Sequence, residues 1–319
     1  MPVHLQFLHM GMSAKDVATR FMGIYEAQFD GLRQAGMRVS FSLDSLDSTA
    51  DFIICTADNR DIERAFAASS RPLILYVPPI DQWFDVQLLE RIKGRVAFAY
   101  GPCLTGMTTD AYAKLGISYH FLPFAADPQF MRPLDLDPEF DVAFLGGLQH
   151  RRGYQPYIEP LLKQLDPSRL AFVGGGWQKY KIPTQSVHGL TADSPGPPER
   201  IRLTNKLYNL AKVCINVHAP EQTRGAAIQL DSNNRLFDVA MAGGVQVSDN
   251  PDAVHMHFDD AEVLTAADPA GWVRLVLENV AKPASQTAAL RAAARKRALA
   301  EHTWKHRGET FLSWIKQHA

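Results

Sequence analysis

Short apolar runs alternate along this chain with segments of helical period, in two series separated by a proline-rich break, and that rhythm limits the folds open to it. In the first series, residues 3–8 form a strand-like run, after which Val17, Phe21, Ile24, Gln28 and Leu32 fall near one face of a helix. Further runs follow at 38–41, 51–56, 73–77 and 95–100, with helical segments at 60–68 and 84–92; the latter keeps Phe84, Leu88 and Ile92 in register. Strands separated by helices predict an α/β fold with a parallel sheet covered on both faces.

The rhythm stops at Leu122-Pro-Phe-Ala-Ala-Asp-Pro-Gln-Phe-Met-Arg-Pro-Leu-Asp-Leu-Asp-Pro-Glu, whose four prolines cannot donate backbone hydrogen bonds to an interior sheet. It restarts with strands expected at 141–145, 170–173, 213–217 and 245–248 and helices at 154–165, 201–211 and 234–242. Residues 191–198, rich in Pro, Gly and Asp, read as a loop. From residue 270 the pattern is helical, alanine-rich over 285–300 and followed by a last segment over 304–315. A length of 319 residues suits two domains. The expected organisation is an N-terminal Rossmann-like domain over 1–125, a linker over 126–140, a C-terminal Rossmann-like domain over 141–300 and a terminal helix over 301–319 able to pack back on the first domain. In open α/β sheets ligands bind outside the carboxyl ends of the strands, so the site is expected in a cleft between the two domains.

Composition removes several function classes. Hydrophobic residues at 46% and charged residues at 21% support packed cores, and a net charge of -1 offers no attraction to a nucleic-acid polyanion. Cys55, Cys103 and Cys214 stand far apart without a CxxC pair, which argues against a disulfide framework or a zinc cluster. The first residues lack the charge and apolar pattern of a secretion signal, and no apolar run approaches the ~18 residues of a membrane span. A cytoplasmic location is the expectation. The basic run 291–297, with Lys305 and Arg307, leaves open a peripheral contact with anionic lipid, against the reading of a solvated helix face.

The segment Asp231-Ser-Asn-Asn-Arg-Leu-Phe-Asp-Val-Ala-Met-Ala-Gly-Gly sets a polar cluster at a helix start and a Gly-Gly break at its end. Asn233 or Asn234 can cap the helix. Arg235 in the first turn opposes the positive end of the helix dipole, a conflict that an anionic ligand would resolve. Asp238, one turn on, has two acceptor oxygens able to take both hydroxyls of a ribose. The bland alternative is a capped helix with a surface ion pair.

Asn234-Arg235-Leu236-Phe237-Asp238-Val-Ala-Met-Ala-Gly243-Gly244 resembles the Asn-x-Arg-x-Phe-Glu-x-x-Ala-x-Gly-Gly pattern of the CgeB-type, or spore-maturation-like, glycosyltransferases, with Asn and Arg adjacent here and Asp in place of Glu. Phe121-Leu-Pro-Phe-Ala-Ala-Asp-Pro, Asp141-Val-Ala-Phe-Leu-Gly-Gly, Ile215-Asn-Val-His-Ala-Pro and His302-Thr-Trp-Lys-His-Arg resemble further pieces of that family in the same order. The resemblance covers residues from about 121 to the end. It implies a GT-B transferase that moves a sugar from a nucleotide-activated donor, UDP-, GDP- or dTDP-linked, to an acceptor, with no metal and no further cofactor.

The loop after residue 145 offers Gly146 and Gly147 for close backbone approach and Arg151 or Arg152 to neutralise a phosphate, a role the resemblance supports. Gly175 and Trp177 end a strand where a base could lie and stack; an ordinary tight turn is the other reading. His218 follows the strand Ile215-Asn-Val and either faces the diphosphate or is bonded to backbone. His9, after the first strand, is the candidate general base on the acceptor side. Asp135-Leu-Asp137 spells a metal-binding DxD but lies among prolines, and no GxGxxG, HExxH or GxSxG is present. A nucleotide-sugar epimerase, or a catalytically silent protein of the same fold that binds carbohydrate or a partner, are the rival readings.

Overall fold

The computed structural model describes residues 2–8, 22–43, 45–56, 59–77, 85–102, 104, 106–146, 155–174, 177, 197–218 and 233–318. The chain divides into two compact units, one of Met1–Phe124, Ala226–Asp231 and Trp304–Ala319, the other of Ala125–Gly225 and Ser232–Thr303.

In the first unit β1 (His4–Leu8), α1 (Met22–Gln34), β2 (Arg38–Ser42), β3 (Phe52–Thr56), α2 (Asn59–Ala68), β4 (Leu73–Tyr76), α3 (Val86–Ile92), β5 (Val96–Gly101), α4 (Gly106–Lys114) and β6 (Tyr119–Phe121) follow one another. The strands form a parallel sheet in the order β2-β1-β3-β4-β5-β6. Successive strand side chains point to opposite faces, so one sheet builds two cores. Ile53, Cys55, Leu73 and Leu75 pack with Ile62, Leu88 and Ile92. Phe52, Ile54, Ile74 and Tyr76 pack with Tyr25, Phe29 and Leu32 on the other side. The segment 106–121 was not expected to hold an element: its helix Gly-Met-Thr-Thr-Asp-Ala-Tyr-Ala-Lys mixes small and polar residues that hide the helical period, although Tyr112 is fully buried.

The second unit repeats the plan with β7 (Phe140–Leu145), α5 (Gln155–Leu162), β8 (Leu170–Val173), α6 (Pro197–Asn209), β9 (Ala211–Asn216), α7 (Asn234–Ala242), β10 (Gln246–Ser248), α8 (Pro251–His255), β11 (Leu264–Thr265), α9 (Pro269–Ala281) and α10 (Ala284–Glu301). Its strands are parallel in the order β11-β10-β9-β7-β8. Val142, Phe144, Val213, Ile215 and Val247 form its core with Leu170, Phe172 and Trp272. The order reverses between β7 and β9, the position at which open α/β sheets hold ligands. The proline-rich stretch is tied to this unit: Asn205 Oδ1 accepts from Arg132 N at 2.9 Å and Asn209 Oδ1 from Leu134 N at 2.7 Å. These side chains serve backbone groups that no sheet partner reaches.

After α10 the chain returns to the first unit as α11 (Trp304–His318), which buries Phe311 and Ile315 beside Phe98 and Tyr100. It crosses α1 backbone to backbone: a Cβ on Gly308 would lie 2.3 Å from Gly31 O, and one on Gly31 would lie 2.2 Å from Trp304 O. Only a residue without Cβ fits such an approach. Arg307 donates through Nε to Pro123 O at 3.0 Å and through Nη2 to Phe124 O at 2.9 Å.

The basic run read as a possible membrane contact is largely spent inside the second unit. Arg291 Nε donates to Gly243 O at 2.6 Å, Arg295 donates to Met241 O, and Arg297 pairs with Glu301 at 2.7 Å and Glu262 at 3.3 Å. The first two meet carbonyls at the end of α7, where helix geometry leaves acceptors without intrahelical partners. Among the described residues no helix is long and apolar enough to cross a membrane.

Candidate functional site

Helix α7 is cut sharply at both ends. Asn233 is the N-cap, in extended backbone (φ -88°, ψ 165°), and its side chain accepts from Leu236 N at 3.3 Å. Gly243 ends the helix in the left-handed region (φ 71°) with its N–H on Ala240 O at 3.0 Å. Asn234, the alternative cap, turns instead along the helix and donates through Nδ2 to Asp238 Oδ2 at 3.2 Å. The one-turn spacing that places them together is the helical i,i+4 relation.

Arg235 spans the switch point. Its Nε donates to Leu145 O at 3.1 Å and Nη2 to the same oxygen, both at the end of β7, while Nη1 donates to Asn216 Oδ1 at 2.7 Å at the end of β9. The guanidinium carbon lies 4.4 Å from the centroid of the Phe144 ring. The conflict of Arg235 with the helix amino end, which an anionic ligand was expected to resolve, is eased within the protein too: a carbonyl, an amide oxygen and an aromatic face already hold it. Three of five guanidinium N–H groups are spent in this way, leaving two for a ligand.

Gly146 has a local reason to be glycine. A Cβ there would come within 2.9 Å of the Phe144 ring and 3.0 Å of Arg235 Nη2, so its absence lets the arginine reach the strand end. Trp177 is corrected as a base-stacking residue. It is fully buried, edge-on to Phe144 at 5.5 Å and Phe172 at 4.9 Å, and its indole N–H donates to Gly146 O at 2.7 Å. The ring therefore serves the core and anchors the Gly146 carbonyl.

His218 is bonded through its ring to a side chain, and not to backbone as the bland reading had it. Its Nδ1 and its backbone N–H both meet Asp249 Oδ1 at 2.8 Å, and the ring's Nε2 is buried without a partner. Burial raises the Asp238 carboxyl to about 7, with Asn234 and Arg235 pulling it down and Asp127 pushing it up. Near neutral pH this carboxyl can therefore change charge, unlike an ordinary aspartate.

Asn216, Gln246 and Asp249 carried no role in the sequence reading. Asn216 Oδ1 also accepts from Asn233 Nδ2 at 2.7 Å, and Gln246 Nε2 donates to Arg235 O at 3.1 Å, which binds both amides to the arginine's turn. A polar residue interrupting an apolar strand, as in Val-Cys-Ile-Asn and Val-Gln-Val, was the available signal. His9, Gly147, Arg151, Arg152 and Gly175 lie outside the described residues. Asp135 and Asp137 are exposed on the proline-rich stretch, and among the described residues no three His, Cys, Asp or Glu side chains gather as a metal-ion site.

The model of the family described as glycosyl transferase-like matches residues 151–313, which include α7 and every residue of the arginine's turn. No curated protein matches the chain in sequence. Among solved structures, Anabaena HepE in complex with UDP and glucose is similar with a TM-score of 0.62 at 11% identity, over 99% of this chain and 100% of that one. Sucrose-phosphate synthase from Thermosynechococcus elongatus gives 0.61 at 10% identity, over 99% and 98% of the two chains. T4 phage BGT in complex with UDP and Mn2+ gives 0.58 at 11% identity, over 99% of each. With two parallel-sheet Rossmann-like units and C-terminal helices, the fold is GT-B.

Proposed function

Because the chain belongs to the glycosyl transferase-like family, we propose that it moves a sugar from a nucleoside-diphosphate donor to an acceptor, which can be a glycan, a protein or a small molecule, without a metal ion. The observation that carries this reading is Arg235, which joins the carboxyl ends of β7 and β9 at the switch point and keeps two N–H groups unspent, one turn from Asp238. In this reading Asp238 takes the ribose hydroxyls and Asn234 orients it. Arg235, with Arg151 or Arg152, stabilises the negative charge that grows on the departing diphosphate, and His9 in the first unit is the candidate base. The CgeB-type resemblance supports the same assignment of the α7 motif. HepE and T4 phage BGT, whose structures hold UDP, make UDP the first carrier to try.

The test is the release of nucleoside diphosphate from a panel of UDP-, GDP- and dTDP-sugars, with and without EDTA. Release from one carrier, undiminished by EDTA, is the expected result. Release that vanishes with EDTA and returns with a divalent ion would remove the metal-free part of the reading. An altered sugar appearing without transfer or hydrolysis would make the protein an epimerase.

A further inference from the structure

Asn216 and His218, two residues apart at the carboxyl end of β9, are each held from behind so that one polar atom is left over. Asn216 Oδ1 accepts from Arg235 Nη1 and Asn233 Nδ2, both at 2.7 Å. Two donors on one oxygen settle the amide's orientation, because a flipped amide would set its NH2 against them. The remaining Nδ2 has no partner, and the residue is fully buried. Asp249 does the same for His218. Its carboxylate takes the ring Nδ1 and the backbone N–H at 2.8 Å, and its own N–H donates to Asn216 O at 3.1 Å. Nδ1 thus carries the proton and Nε2 is the atom left over, on a side chain 8% exposed.

Buried polar atoms without partners are costly, and two at one strand end call for a common ligand. The groups gathered around them can donate: the Asn216 amide, the unspent Arg235 N–H groups, the amino end of α7, and the His218 ring once Nε2 takes up a proton. The nearest acid, Asp249, is occupied behind His218. Such a set matches an anion with several acceptor oxygens. We propose that Asn216 Nδ2 and His218 Nε2 hold phosphate oxygens of the donor's diphosphate, with Asp249 as the positioning residue; this rests on the donor reading above. His218 then carries protons on both ring nitrogens, the second taken from solvent, and Asp249 balances the imidazolium. Of the other titratable groups, Tyr157 lies near Asp249 with its hydroxyl on Ala267 O, and burial together with Asp249 holds its proton more tightly than usual.

This grip is separable from the ribose contact of Asp238, because a nucleoside has the ribose and lacks the phosphates. The experiment is calorimetric titration of wild type, His218→Ala and Asn216→Asp with UDP, GDP and dTDP and with their nucleosides. Asn216→Asp keeps the oxygen that receives Arg235 and Asn233 and turns the leftover amide into a carboxylate oxygen. The expected result is a loss of diphosphate affinity of about tenfold for His218→Ala and about a hundredfold for Asn216→Asp, with nucleoside affinity unchanged. Asp249→Asn, which can still accept from Nδ1, is expected to retain more affinity than Asp249→Ala. In 15N spectra the His218 ring should pass from protonation at Nδ1 alone to protonation at both nitrogens when the diphosphate binds. Wild-type diphosphate affinity in both variants, or equal losses for nucleoside and diphosphate, would overturn the proposal while leaving the donor reading intact. Failure of wild type to bind any of the three diphosphates would overturn both.

Discussion

The two units stack their strands in the same relative order, with the second strand outside the first and the third on its other side, yet they treat buried polar groups differently. In the first, Gln6 donates to Ser45 O and accepts from Asp47 N, and His4 meets Ser40 and Thr49, so these side chains close on the unit itself. Burial likewise pushes the Tyr25 and Tyr100 phenols upward, keeping them neutral inside an aromatic core. In the second unit Asn216, His218 and Gln246 each keep one buried atom without a partner, and all three bond to residues of one strand-end network. The first unit also leaves single buried atoms without a partner, Arg95 Nε and His120 Nε2 among them, but on separate elements, whereas the second gathers three of its own in one strand-end network.

The sharpest test of the first half of that contrast is Gly308→Leu. Its Cβ would fall 2.3 Å from the Gly31 carbonyl oxygen, so the α1–α11 crossing must open, at about 3 kcal/mol of stability measured by denaturant unfolding. Unchanged stability would mean that the two backbones do not meet. For the second half, Arg235→Ala is expected to slow donor turnover about a hundredfold, the cost of deleting one donor aimed at developing charge. Full turnover would reduce Arg235 to a tie between strands.

A pH series sharpens the comparison further. Asp238 titrates near 7 in the folded protein, well above an ordinary aspartate, so the native state holds its proton where the unfolded chain has lost it. Its contribution to stability is therefore complete at acid pH and declines as pH rises toward 7. Ribose binding by the ionised form runs the other way, with nucleoside affinity rising up to about tenfold between pH 6 and 8. Asp238→Asn should flatten both trends, and a wild-type affinity independent of pH would contradict the ribose role. The smallest effect belongs to Arg291→Ala, which frees the Gly243 carbonyl and should cost the second unit about 1 kcal/mol by thermal unfolding. A larger loss would show that the end of α7 depends on α10 for its fold.

The architecture was legible because parallel strands buried on both faces leave continuous apolar runs, and the α7 motif was legible because caps and Gly-Gly breaks are local. The helix expected over 154–165 ends at Leu162, and that over 201–211 begins at Pro197, where proline suits the first turn. The partners inside the site were less accessible. Arg235 reaches Leu145 across 90 positions, and Asp249 fixes His218 across 31, separations that no local pattern encodes. Gly146 was expected to admit a phosphate, but its neighbours show that it first admits Arg235. Trp177, after three glycines, looked available for stacking and proved to be core.

The central claim, that the amino end of α7 holds the donor nucleotide, is tested most directly by titrating wild type and Asp238→Ala with the nucleoside diphosphate that the wild type prefers. Saturable binding to wild type, weakened about tenfold or more in the variant by loss of a charged ribose contact, is the expected result. Equal affinity in the two proteins would place the nucleotide elsewhere and contradict the claim.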